Sequence, residues 1–261
     1  MTRRPASFQL AAYWPAALSV GGLIALWLLA TGYGLVGPTR LPGPRDLWSA
    51  LEQLMGPGYA GGTLAQQVWF SLRLVLAGFL VAIVTGVPLG IAMGISTRIE
   101  AFVNPAFLVI RPIPPLAWIP LAILWFGLGD SAKIFVIWFG AFVPALINSY
   151  TGVRSVDPAL IAAARVHGAS RRHIVFDVVV PGALPLIFTG LRLSLQASWT
   201  ALVAAELVGA FYGLGRVLMT ASRDLYPGMI AVAMICVAIL GAAMTWLLGR
   251  AERLAMPWRR T

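Results

Sequence analysis

Residues 74–97 read LVLAGFLVAIVTGVPLGIAMGIST, a run without one charged side chain. About 20 apolar residues wound as a helix cross the ~30 Å of a bilayer's hydrocarbon, so this stretch alone predicts a membrane crossing. Working outward, charge-free runs of comparable length occupy residues 5–39, with the crossing placed at 14–36, then 134–153 and 225–249. Two more runs carry a single embedded arginine each: 101–129 is interrupted only by Arg111, and 178–205 only by Arg192. A spanning barrel would show short alternating segments, whereas these runs are continuously apolar and rich in Leu, Ala and Gly. The expected fold class is therefore all-α, a polytopic membrane protein of about six transmembrane helices in one domain over residues 1–261.

Composition agrees. Hydrophobic residues make up 59% of the 261 residues, charged residues 11%, and mean hydropathy is +0.85. Soluble domains carry about 25% charged residues, which excludes an ordinary soluble enzyme. Disorder requires low hydrophobicity and a disulfide scaffold requires many cysteines, whereas this chain has only Cys236. The net charge of +10 would suggest nucleic acid in a soluble chain. Here the basic residues sit in short segments between apolar runs, the pattern of topology signals, so no nucleic-acid partner is expected.

With the N-terminus inside, the inner segments hold eleven basic residues: Arg3, Arg4, Arg98, Arg154, Arg165, Arg171, Arg172, Arg250, Arg253, Arg259 and Arg260. The outer segments hold five, namely Arg40, Arg45, Lys133, Arg216 and Arg223, and the remaining three, Arg73, Arg111 and Arg192, fall within spans. This bias places both termini in the cytoplasm. The first apolar run is too long for a signal-peptide core and reads as a retained anchor, with Arg3-Arg4 as a topology signal rather than a twin-arginine export signal.

Two segments stand outside the membrane. Residues 37–62 are rich in Gly and Pro and hold a short amphipathic helix over 45–55. The inner loop at 154–185 carries its own helix punctuation. Asp157 is a fitting N-cap, Pro158 fits the first helical position, and Gly168 sits where a helix ends in a left-handed residue. Ser170 caps a second short helix that Pro181 is expected to interrupt. The run Ala162-Ala163-Ala164 with Gly168 permits close backbone approach to another surface, although helix propensity alone would also favour these alanines.

Chemistry-bearing patterns are sparse. A P-loop needs a glycine-rich turn followed by Lys and Ser or Thr, and the only lysine, Lys133, lacks that context. ATP-driven transport would therefore require a separate ATPase polypeptide. His167 and His173 have no nearby cysteine or carboxylate pair, so no metal site is expected. Gly127-Leu128-Gly129-Asp130 is similar to the Gly-x-Gly-Asp string of intramembrane aspartyl proteases, but no second Asp lies in an apolar run. Arginine within a span costs about 2.5–3.5 kcal/mol on insertion scales and so faces protein or water. Arg73, near a span end, is expected to snorkel outward. Arg111 precedes Pro112, Pro114 and Pro115, whose missing amides favour broken backbone, tolerated at membrane depth only where it lines protein or a cavity. Its guanidinium could assist an anion or satisfy carbonyls freed by the prolines. Arg192 reads as a helix-packing residue. Glu206, roughly 21 Å beyond it along a straight helix, cannot be its partner.

The inner loop also resembles the cytoplasmic signature of binding-protein-dependent ABC importer permeases: Glu-Ala-Ala, three residues, Gly, nine residues, then Ile-x-Leu-Pro. Ala162, Ala163 and Ala164 take the first three places, with Ala162 where glutamate is usual. Gly168 takes the glycine, and Val178, Val179, Val180 and Pro181 the last four. The likeness extends along Arg111–Pro120 including Trp118, Trp125-Phe126-Gly127, Leu202-Val203-Ala204-Ala205-Glu206-Leu207, Gly168-Ala169-Ser170 and Thr189-Gly190-Leu191-Arg192, and is nearest to permeases for taurine, then alkanesulfonates and nitrate.

That resemblance implies the type I importer permease fold and a homodimer in the inner membrane. It further implies two ATPase subunits that bind ATP and Mg, an extracytoplasmic substrate-binding protein, and alternating access. The chain itself would hold no cofactor and be no enzyme. The implied ATPase contact comprises Ala162, Ala163, Ala164, Arg165, His167, Gly168, Ala169 and Ser170. The implied substrate path includes Arg111, Trp118, Arg192 and Glu206. A self-sufficient secondary transporter would show inverted repeats and ionisable residues at mid-span, and neither is evident.

Overall fold

The computed structural model describes residues 6–37 and 39–259. Arg3, Arg4 and Arg260, three of the inner arginines, lie outside the described residues. The elements in order are α1 (Ala6–Gly32), α2 (Pro44–Met55), α3 (Leu64–Ile95), α4 (Thr97–Ile110), a short 3-10 turn (Pro115–Trp118) leading into α5 (Ile119–Phe126), and α6 (Asp130–Arg154). They continue with α7 (Pro158–Val166), α8 (Arg171–His173), a π turn (Ile174–Val179), α9 (Val180–Gly209), α10 (Leu214–Arg223) and α11 (Pro227–Ala255). Among the described residues there is no strand beyond one isolated bridge between Tyr59 and Gly62.

Among the described residues, four helical stretches are long and apolar enough to cross a membrane: Leu64–Ile95, Asp130–Arg154, the continuous Arg171–Gly209, and Pro227–Ala255. The span expected over 101–129 is not one rod: α4 and the pair Pro115–Phe126 are bent by 84° and make a fifth crossing only together. The cause is local. Pro112, Pro114 and Pro115 remove amide donors where α4 would continue, and the backbone turns at Arg111. The expected first crossing falls on α1, 27 residues long, in which the described stretch Leu18–Gly32 is apolar. Leu23 and Leu26 on it are 68% and 65% exposed, and Trp27 Nε1 ties it to the following loop by donating to the Pro42 carbonyl at 3.1 Å.

The centre of the molecule is the α3–α6–α9 layer. Gly78, Ala82, Gly86, Gly90 and Gly94 recur every four residues on α3, and Ile137, Ala141, Ala145, Ser149 and Val153 do so on α6. Such small-residue stripes let helix backbones approach closely in lipid, where packing rather than a hydrophobic drive holds helices together. The approach is close enough that a Cβ at Gly90 would lie 2.4 Å from the Leu146 carbonyl oxygen, and one at Gly94 would lie 2.6 Å from Val153 Cβ. On the other side of α6, a Cβ at Gly190 of α9 would lie 2.5 Å from Asn148 Cβ.

A second, smaller core joins α2, α10 and α11 through Ala50, Leu54, Val217, Ala221, Met229 and Val232. The helix expected at 45–55 is α2, whose start is capped by the Asp46 carboxylate accepting from Gly43 N–H at 2.8 Å. The loop after it is pinned to the end of α10 by the Tyr59 hydroxyl donating to Asp224 Oδ2 at 2.5 Å. Burial and that carboxylate hold the Tyr59 hydroxyl protonated well above the usual phenol range.

Lys133, expected in an outer connector, is instead 7% exposed in the first turn of α6, 3.7 Å from Asp130. Arg73 does not simply snorkel: it pairs with Asp130 and lies over the Phe70 ring, 4.5 Å from its centroid.

Gly90→Ala should lower thermal stability in detergent, by an amount of order 1–3 kcal/mol for overpacking a closed seam. Gly21→Ala, where a Cβ meets nothing within 4 Å, should leave it unchanged. Equal melting of both variants by size-exclusion monodispersity would contradict the close α3–α6 contact.

Candidate functional site

The helix-breaking segment after α6 folds as its punctuation predicts. Asp157 Oδ1 accepts from Ala159 N–H at 2.8 Å and starts α7 behind Pro158. At the other end Ala169 N–H reaches back to the Ala164 carbonyl at 3.0 Å and Gly168 N–H to that of Arg165 at 3.0 Å, closing a Schellman-type stop. Gly168 has φ +77°, the conformation such a stop demands, and a Cβ there would meet nothing within 4 Å. Glycine is thus required for its backbone and not for packing within the chain. His167 Nδ1 lies 2.9 Å from the Ala163 carbonyl, and Ser170 Oγ lies 2.7 Å from His173 Nδ1 and caps α8 by accepting from its N–H.

Pro181 does not interrupt the next helix. The π turn over Ile174–Val179 widens the ladder, with Val180 N–H bonding the carbonyl of Val175, so the proline ring enters at the start of α9 without breaking it. The loop expected over 154–185 is accordingly shorter, since a continuous helical stretch begins at Arg171.

On α7 one side is anchored: Ile161 packs against the main core. The other is bare: Val166 is 86% exposed and Leu160 56%, with Ala162 and Ala163 also exposed and Ala164 half-buried. Arg165 is exposed and Ala169 half-buried. Leu160 and Val166 are thus large apolar side chains left uncovered on a short helix at the edge of the bundle.

The four residues expected along a path do not converge on one point. Arg111 caps the end of α4 at the bend, exposed, and its guanidinium has no partner among the described residues. The carbonyls freed by the prolines do not engage it. Trp118 belongs to an aromatic cluster, its ring 4.8 Å from that of Phe139, and its buried Nε1 has no acceptor among the described residues. Arg192 pairs with Glu252 of α11, a partner 60 residues away that sequence separation concealed.

Glu206 is 1% exposed and pairs with no cation among the described residues. Its carboxylate accepts from Ser71 Oγ at 2.8 and 3.0 Å and from Gly215 N–H at 2.7 Å. Ser71 Oγ in turn accepts from Leu214 N–H at 2.8 Å, and Gln67 Oε1 from Gly213 N–H at 2.6 Å. Three side chains from α3 and α9 thereby satisfy the exposed amides at the start of α10, a cap built from other helices. Gly213 and Gly215 leave the room: a Cβ on either would fall 2.1 and 2.5 Å from Glu206 atoms. Gln67 and Ser71, one turn apart, were legible only as unexplained polar residues in an apolar run.

The family model described as "Binding-protein-dependent transport system inner membrane component" matches residues 86–256, from the last third of α3 through the end of α11. The taurine transport system permease protein TauC of Escherichia coli (strain K12) is 37% identical over 254 residues, covering 94% of this chain and 92% of that protein. The bicarbonate transport system permease protein CmpB of Synechococcus elongatus is 35% identical over 232 residues, covering 86% of this chain and 84% of that one. Among solved structures, the MetNI methionine ABC transporter in inward-facing conformations superposes with a TM-score of 0.64 at 22% identity, over 72% of this chain and 94% of the matched one, a likeness of fold. The chain therefore belongs to the binding-protein-dependent transport system inner membrane component family, as a multi-pass inner-membrane permease subunit of an ABC importer.

Proposed function

We propose that this chain forms, as a homodimer, the path by which a small sulfonate-type anion, taurine first among the candidates, enters the cell by alternating access. An alkanesulfonate, nitrate or bicarbonate is the alternative solute. The observation that carries the importer mechanism is α7 with its bare apolar face between two well-capped ends. It fits the groove of a partner that closes and opens, and the partner class that supplies energy is an ATPase subunit dimer binding ATP and Mg. Ala162, Ala163, Ala164, Arg165, His167, Gly168, Ala169 and Ser170 form this coupling element. The loop faces the cytoplasm on the arginine bias, with both termini on the same side. A substrate-binding protein delivers solute at the opposite face.

Energy transfer on this reading is a change in relative stability of two packings. Nucleotide-driven closure of the ATPase displaces α7, and because Ile161 and the π turn join α7 to α6 and α9, the bundle follows.

Two outcomes follow. The chain purified with its ATPase in liposomes should hydrolyse ATP faster when the binding protein is loaded with taurine than when it is empty. A complex stimulated by another solute's binding protein, and not by taurine, would keep the importer and replace the solute. At α7, Val166→Glu should weaken retention of the ATPase subunit about tenfold or more, one decade being about 1.4 kcal/mol. Gly168→Asp should uncouple hydrolysis from uptake while membrane insertion persists, whereas Gly168→Asn, which tolerates the left-handed conformation, should couple nearly normally. Unchanged coupling in Gly168→Asp would refute the docking role.

A further inference from the structure

A cavity of about 320 Å³ lies between α9 and α11, lined by Arg192, Gln196, Trp199, Thr200, Gly241, Thr245 and apolar neighbours. Its position is unusual for an apolar bundle. Arg192, Gln196 and Thr200 follow one another at four-residue spacing through the middle of α9, so they form one polar stripe along a helix face in a membrane-spanning segment. All three are exposed on this chain and border the open side of the cavity, and a polar stripe facing lipid would be costly, whereas one facing a solvated cavity is tolerated.

The hydrogen-bonding inventory of that cavity is lopsided. Trp199 is 6% exposed, and its indole N–H has no acceptor among the described residues. A buried donor left unmet is destabilising, and a bound acceptor removes that cost. The indole edge bearing that N–H faces Gly241, where a Cβ would stand 3.9 Å from Nε1; the glycine keeps the ground in front of the donor low. The Gln196 side-chain amide likewise has no partner among the described residues. Arg192 gives one nitrogen to Glu252, which is not part of the lining, and its other N–H groups have no partner among the described residues. Thr200 and Thr245 spend their hydroxyl hydrogens on the carbonyls of Gln196 and Gly241 one turn back, at 3.2 and 2.8 Å. What the cavity offers is therefore a guanidinium, an amide and an indole N–H, with no carboxylate in its lining.

We propose that this cavity is a transit site for the oxyanion group of a small solute, with Arg192, Gln196 and Trp199 as its donors and Glu252 as the counter-charge that holds Arg192 in place between passages. The inference rests on the importer reading above and assigns it a substrate class and a location. A planar or tetrahedral oxyanion accepts several N–H donors at once, and a guanidinium fork matches it. Glu252 competes with the solute for the same guanidinium. Its pairing keeps the site from holding an anion so tightly that it cannot leave.

The test uses the full chain in nanodiscs and needs neither ATPase activity nor uptake, so a failed importer reading cannot mimic a failed site. In a Cys236→Ser background, Gln196→Cys is labelled with a methanethiosulfonate reagent bearing an ethylsulfonate group, and in parallel with the neutral methyl reagent. The sulfonate reagent should react readily, and added taurine should slow it. Arg192→Gln should cut its rate about tenfold while leaving the neutral reagent unchanged, the scale on which local charge focuses anions. Glu252→Gln, which preserves the shape of the pair and frees the guanidinium, should raise the sulfonate rate. That second variant keeps the test decisive if Arg192→Gln fails to fold. Failure of the sulfonate reagent to react, or equal effects of either variant on both reagents, would overturn the site.

Discussion

Everything else in this structure hangs on how near two backbones come to each other. Along the α3–α6 seam, small residues at every fourth position remove the side-chain layer that normally separates helices. In water such a seam would waste the burial of large apolar groups, but in lipid that burial brings little, and close contact across many atom pairs is what remains. The seam sets α6 as the central element. Gly152 and Gly190 repeat the device toward α9, with Cβ positions 3.0 Å from the Ala183 carbonyl and 2.5 Å from Asn148 Cβ. The three helices are therefore packed as one block, and the kinked α4–α5 pair, α7 and the π turn lie outside its glycine seams.

Much of this was legible in the sequence because its cause is local. A long uncharged run has one stable form in hydrocarbon, and Asp157, Pro158, Gly168 and Ser170 each act on the residues beside them, so span positions and the α7 boundaries could be read directly. The broken span could not be read as one, because Arg111 with its prolines is compatible with a kink of any size until the neighbours are known. Pro181 misled for the converse reason: a π turn upstream relieves its missing amide, and no residue type announces a π turn. The α3 stripe was present in plain sight at a four-residue period, overshadowed by hydropathy, which treats glycine as neutral.

Charge placement was the least legible part. Arg73 finds Asp130, Arg154 finds Glu100 and Arg192 finds Glu252, each partner more than fifty residues distant. Composition says only that an arginine in or beside lipid needs a partner, and topology decides which. The parallel alignment of α6 beside α3, the start of α4 beside the end of α6, and the antiparallel return of α11 against α9 bring those carboxylates into reach. Arg111 is the exception among the three arginines within spans, with no carboxylate beside it among the described residues. Its place at the bend of α4 explains how that is tolerated, since the backbone there is already open.

The cap around Glu206 has a consequence for how the chain is made. Synthesis delivers Gln67 and Ser71 early, Glu206 late, and the amides of Gly213, Leu214 and Gly215 later still. Between the emergence of α9 and that of α10 the carboxylate has a hydroxyl but no backbone donor, and Gln67 has no amide to receive. The last part of the polypeptide therefore completes the bonding of polar side chains set early in α3: a chain that ended after α9 would lack the backbone donors that Gln67, Ser71 and Glu206 accept from.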